Sequence, residues 1–176
     1  MGLPLFMKKN RPLTPKERGD VYHKVMENLD FAAASAEEEL SRMQADGTVT
    51  EDERRAVDAA ELQSFLDSDI CRRARGSAHV EREFRIFTTV NKTGLPDPDN
   101  DDLSFVQGVA DMFFEEDGKI VLVDYKTNRN TTPEKLIEEY KGQLEIYKKA
   151  LSEMTGLEVG ECLLFSFSLK RSISVL

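Results

Sequence analysis

Cysteine is nearly absent from the chain: Cys71 and Cys162 are its only two. They stand too far apart for a CxxC metal knuckle, and an iron–sulfur cluster would need four. Free thiols are expected. No apolar run approaches the roughly 20 residues that span a bilayer, and the N-terminal residues show no cleavable signal pattern. A cytoplasmic protein with no membrane partner is therefore expected. Positive charge is also scarce, with 24 Lys and Arg against 33 Asp and Glu and a net charge of −9. That balance argues against non-specific capture of a polyanion. The acid is unevenly spread, however: residues 1–18 carry +4, residues 19–69 carry −10 and residues 70–176 carry −3.

What remains is an ordinary globular composition, 40% hydrophobic and 32% charged, in a length that suits one domain with a real core. The expected organisation is an extended, proline-containing arm over 1–13, helices over 14–69 and a catalytic core over 78–176. Tyr22, Val25, Met26 and Leu29 recur at helical spacing behind Thr14 as N-cap and Pro15 at the first position, which predicts a helix over 14–29. An acidic helix is expected over 36–44, stopping at Asp46-Gly47. A third is expected from Thr50, with Glu53 completing a capping box and Val57, Leu62, Phe65 and Leu66 buried. The period then shortens. Strands are expected over 80–90, 103–114 and 119–126, a polar loop over 91–102, a helix over 133–154 and a last strand over 161–168.

Asp117-Gly118 is the preferred pair for a two-residue type I′ hairpin turn, and such a turn fixes the register of the strands around it. Counting outward from it sets Asp111 directly opposite Asp124. Facing Cβ atoms in a hairpin are about 4.5–5.5 Å apart, and like charges placed so repel. A hard divalent cation such as Mg²⁺ or Mn²⁺ would offset that repulsion. Lys126 lies two residues beyond Asp124 and projects from the same face. A metal acidifies water, and a nearby lysine can position that water or stabilise charge growing on a phosphate. An arbitrary D…DxK pattern is more often a surface ion pair, so neighbouring features matter. The helix over 133–154 mixes Tyr140, Gln143 and Tyr147 into an apolar stripe, and His23 lies at the edge of the first helix's apolar face, four residues after Gly19.

Taken in order, Gly19 to His23, Gln107-Gly108-Val109-Ala110-Asp111, Asp124-Tyr125-Lys126-Thr127 and Gln143 to Tyr147 resemble GxxxH, QGxxD, DYKT and QxxxY. These are the motifs of the RecB-family branch of the PD-(D/E)XK nucleases, and the resemblance to the nuclease domains of AddA-type helicase–nucleases covers nearly the whole chain. It implies an α/β fold with a central mixed sheet flanked by helices and an N-terminal helical layer that delivers His23. It also implies that His23, Asp111, Asp124 and the Tyr125 carbonyl ligate Mg²⁺ or Mn²⁺, that Lys126 is the catalytic lysine, and that Gln143 and Tyr147 line the site. Glu83 resembles the glutamate of the family's first strand. Asp20 stands where Ser or Thr is commoner, and the cysteines that hold an iron–sulfur cluster in AddB relatives are missing. His79 looks like a second histidine motif but is one residue short and precedes a strand, so it is read as an ordinary polar residue.

The activity implied is metal-dependent exonucleolytic hydrolysis of DNA, on single strands supplied by a helicase in double-strand-break repair. No Walker motif is present, so the motor is expected elsewhere on a longer parent chain, with an AddB-like protein as a further partner. Two alternatives stand beside this: an inert nuclease-fold module that holds DNA, and a stand-alone phage-type exonuclease.

Overall fold

The computed structural model describes residues 11–91 and 103–176. Most of the arm expected over 1–13, and the loop expected over 91–102 apart from Asn91, lie outside the described residues. The elements are α1 (Pro15–Asn28), α2 (Ala36–Ala45), α3 (Glu51–Ala56), α4 (Ala59–Leu66), α5 (Asp69–Gly76), β1 (Val80–Asn91), β2 (Leu103–Glu116), β3 (Lys119–Lys126), α6 (Pro133–Thr155), β4 (Val159–Ser166) and β5 (Arg171–Ser174). The strands form one sheet in the order β1-β2-β3-β4-β5. β3 and β4 run parallel, joined through α6, and the other neighbours run antiparallel. This is the mixed, helix-flanked α/β architecture that the resemblance implies.

Two cores lie on the two faces of the sheet. On one, Met112, Phe114, Val123, Tyr125 and Phe165 share a core with α1, α2 and α4 through Tyr22, Met26, Leu40, Met43 and Phe65. On the other, Ala110, Phe113, Leu122 and Leu164 meet Leu136, Leu144 and Leu151 of α6. The α1 helix starts as its sequence dictates: Thr14 accepts the Glu17 N–H while the Glu17 carboxylate accepts the Thr14 N–H. The β2–β3 turn also follows the sequence. Asp117 and Gly118 take φ of 51° and 75°, as a type I′ turn requires, and the ladder runs Glu116↔Lys119 to Met112↔Val123.

Three expectations need correction. The single helix expected from Thr50 is two, α3 and α4, because Asp58 caps a new helix by accepting the N–H of Ala60, and a further helix that was not expected, α5, starts where Ser68 accepts the N–H of Cys71. Side-chain capping there competes with helix continuation and turns the chain. Thr50 does cap α3, but the Glu53 carboxylate reaches only the Thr50 hydroxyl, at 3.4 Å, and pairs with Lys24, so the backbone half of the box is not made. Finally, the last expected strand stops at Ser166. A tight turn with Lys170 at φ 53° leads into β5, whose four residues carry too little pattern to be seen in sequence.

Candidate active site

Glu83 on β1, Asp111 on β2 and Asp124 on β3 form a row of carboxylates across three adjacent strands: 83 and 111 fall between the pairs Arg82↔Met112 and Phe84↔Ala110, and 111 and 124 lie one step past Met112↔Val123, where the β2–β3 ladder ends. The row coincides with an irregularity. Glu83 has φ 50°, a left-handed conformation that costs an L-residue roughly 1–2 kcal/mol, and Glu83 and Asp111 drop out of the ladder between Arg82↔Met112 and Phe84↔Ala110. Alternation reverses there. Val80 and Arg82, with Met112 and Phe114, turn toward the helical layer, whereas Phe84 and Ile86, with Ala110 and Gly108, turn toward α6.

The α1 helix brings His23 over this point, with Nδ1 3.0 Å from Asp111 Oδ1. The other oxygen, Oδ2, accepts the Tyr125 N–H at 2.8 Å. In an antiparallel pair a residue sends N–H and C=O to the same side, so the Tyr125 carbonyl leaves β3 toward the same edge. Lys126 places Nζ 2.8 Å from Asp124 Oδ2 and 3.7 Å above the Tyr140 ring. Lys126 is the one cationic partner of this buried oxygen among the described residues.

Burial and the neighbouring Asp111 charge push the Asp124 carboxyl well above the usual carboxylate range. Burial also acts on Asp111, but hydrogen bonds from His23, Asp124 and the Tyr125 N–H outweigh it and hold that carboxyl low. Glu83 is raised by burial and then by Asp111. Burial opposes protonation of His23 and Lys126, yet the acids beside them raise both. Negative charge is thus in excess. Ligand atoms of His23, Glu83 and Asp111 all lie within 4.8 Å of one another, and Asp124 adds a buried carboxylate one strand away. Carboxylate, imidazole and carbonyl donors with a surplus of negative charge fit a hard divalent cation.

The remaining candidates sit further out. Gln143, exposed, donates from Nε2 to the Tyr147 hydroxyl at 3.1 Å, and Tyr147 lies across Gly108, where a Cβ would come within 2.6 Å of its oxygen. Among the described residues neither bonds to the carboxylates or to Lys126. The tyrosine that meets Lys126 is Tyr140, about two turns before Tyr147 on the same stripe and held by the Asn128 amide at 3.0 Å. Its place in the apolar stripe was the signal that could have marked it. His79 pairs with Glu81 at 3.0 Å and stacks on Phe113, apart from the cluster, and Asp20 is exposed. Beyond β3, Arg18 donates to the Thr127 carbonyl, and a cleft of about 480 Å³ opens between Leu13, Pro15, Arg18, Thr127, Asn128 and Arg129.

A sequence model described as the PD-(D/E)XK nuclease superfamily matches residues 2–173. Among curated proteins, an ATP-dependent helicase/nuclease subunit of Clostridium acetobutylicum is 34% identical, over 93% of this chain and 14% of that protein. The proteins of the same name from Lachnoclostridium phytofermentans and Alkaliphilus oremlandii are 29% and 33% identical, over 98% and 97% of this chain and 16% and 15% of theirs. The chain spans only 14–16% of the length of these relatives. Among the described residues no helix is long and apolar enough to cross a membrane.

Proposed function

The chain belongs to the PD-(D/E)XK nuclease superfamily, and on that footing we propose that it hydrolyses DNA phosphodiester bonds with the help of Mg²⁺ or Mn²⁺. The observation that carries this reading is the row of Glu83, Asp111 and Asp124, closed by His23 on one side and Lys126 on the other. His23, Glu83, Asp111, Asp124 and the Tyr125 carbonyl would hold the metal. When bound, the cation supplies Lewis acidity to a phosphoryl oxygen and lowers the pKa of a water.

The chain's own groups do the rest. The Tyr125 N–H fixes the Asp111 carboxylate so that its second oxygen faces His23. Asp124 and the Tyr140 ring hold the Lys126 ammonium charged, and from that seat it orients the attacking water or stabilises charge on the phosphate. Gln143 and Tyr147 line the approach over Gly108 and contact the scissile strand.

We read residues 1–176 as one nuclease domain, with the arm at 1–13, helices over 14–69 and the catalytic core over 78–176. Similarity to the ATP-dependent helicase/nucleases supports a place in an AddA-like helicase–nuclease. In that setting the domain is an exonuclease on single strands threaded by the motor, works with an AddB-like protein in double-strand-break repair, and needs no iron–sulfur cluster. With a net charge of −9, the isolated chain captures DNA weakly and cuts slowly, and tethering to the motor replaces electrostatic capture.

The test is digestion of end-labelled single- and double-stranded DNA with Mg²⁺, Mn²⁺ or chelator. Metal-dependent shortening of the labelled strand supports the reading. No cleavage with any divalent metal would make this an inert DNA-holding module, and fast processive digestion by the chain alone would make it a stand-alone exonuclease.

A further inference from the structure

Past the reversal at Glu83 and Asp111, β1 and β2 continue as a two-stranded ribbon whose two faces differ sharply. One face is covered by α6: Ile86, Thr88 and Val90 are buried, and Thr88 bonds to Glu153 and Lys149. On the other, Arg85, Phe87 and Thr89 of β1 and Phe105, Gln107 and Val109 of β2 are all exposed. Phe87 and Phe105 are 43% and 67% exposed, and their rings stack on each other at 5.9 Å and 25°. Lone surface hydrophobics need no explanation, but a contiguous exposed patch does.

Charge and position narrow what could sit there. None of the six exposed positions is acidic, in a chain of net charge −9, and Arg85 contributes a cation. A shallow cavity of about 390 Å³ runs over the patch, lined by Arg85, Phe87, Gln107, Gly108 and Val109. Arg85 and Val109 are paired neighbours two residues from Glu83 and Asp111, so the patch begins where the carboxylate row ends.

We propose that this face is a base-stacking platform for single-stranded DNA, with bases laid on Phe87 and Phe105 and a phosphate taken by Arg85. Aromatic faces accept any base, which makes such a platform tolerant of sequence, while a duplex keeps its bases stacked on one another and cannot use it. The strand is thereby held flat against the sheet and led to the carboxylates. The proposal rests on the nuclease reading and deepens it, by naming the face of the domain on which the single strand lies and the rings that hold it.

The experiment measures binding of a single-stranded oligonucleotide carrying 2-aminopurine, with Ca²⁺ replacing Mg²⁺ so that affinity is read apart from cleavage. Replacing both rings (Phe87→Ala with Phe105→Ala) is expected to weaken single-strand binding about tenfold or more and to abolish the base-stacking change in fluorescence. Binding of duplex should not change. Tyrosine at both positions should keep the affinity, and unfolding curves verify that the exposed replacements leave the fold in place. Undiminished affinity in the double alanine variant, or no measurable single-strand binding by the parent chain, overturns the proposal. So does a parent chain that self-associates through this face and becomes monomeric on substitution. Cleavage assays with Mg²⁺ and Mn²⁺ on the same chains separate the two readings: ring-dependent binding without any metal-dependent cleavage by the parent chain would remove the hydrolytic reading and leave the platform. Normal cleavage by ring variants of parental affinity would do the reverse.

Discussion

Glu83 lies opposite Asp111 across the β1–β2 ladder, and at that pair the side chains of both strands change face. One residue in a left-handed conformation thereby sets its own carboxylate beside another and lets α1 lay His23 over both. Local strain and a cluster of like charges coincide, as is common where a site is held ready by the surrounding fold.

Glycine relieves the strain at φ 50° but removes the carboxylate. Glu83→Gly should be about 1 kcal/mol more stable than Glu83→Ala in urea unfolding, while both variants lose Mn²⁺ affinity equally. An alanine variant as stable as the glycine variant would show that the position carries no backbone strain.

Asp111→Asn and Lys126→Ala should each lower the cleavage rate by at least about a hundredfold with unchanged circular dichroism. Asparagine keeps an acceptor for the Tyr125 N–H, so the local fold survives, and Lys126 contributes charge rather than core volume. Near-parental rates in either variant would remove that residue from the proposed machinery.

His23→Ala should reduce Mn²⁺ affinity about tenfold or more in calorimetric titration, whereas His79→Ala should leave it unchanged. The two histidines have different partners: His23 meets Asp111, and His79 meets Glu81 and the Phe113 ring. Equal losses would mean that the metal is bound elsewhere.

Acid should destabilise the helical layer through Glu39. Its hydrogen bonds with Arg42 and the Asp30 N–H outweigh burial and hold its carboxyl below the ordinary 4.5. A carboxylate favoured in the folded state contributes stability above its unfolded pKa and loses it as the pH falls through the lowered value. Glu39→Gln should be less stable than the parent at pH 7, and the two unfolding free energies should converge as the pH drops below about 4. A gap independent of pH would assign the loss to packing.

Much of the centre was legible without a structure because its determinants are local. Asp117-Gly118 forces a two-residue turn, the strand period is two, and together they align Asp111 with Asp124 and put Lys126 on the Asp124 face. Thr14 and Pro15 likewise announce the start of α1. Tertiary structure alone decided the rest. No spacing rule foretells a left-handed glutamate, so regular alternation through β1 misplaces every residue beyond Glu83, including the exposed Phe87. The choice of Tyr140 to cover Lys126, and the fit of Tyr147 over Gly108, depend on how α6 lies across the sheet. Turn chemistry and periodicity act between residues a few positions apart and are written in the order of the chain. The meeting of His23, Glu83 and Asp111 is fixed by the packing of a helix on a sheet, through contacts between residues far apart in sequence.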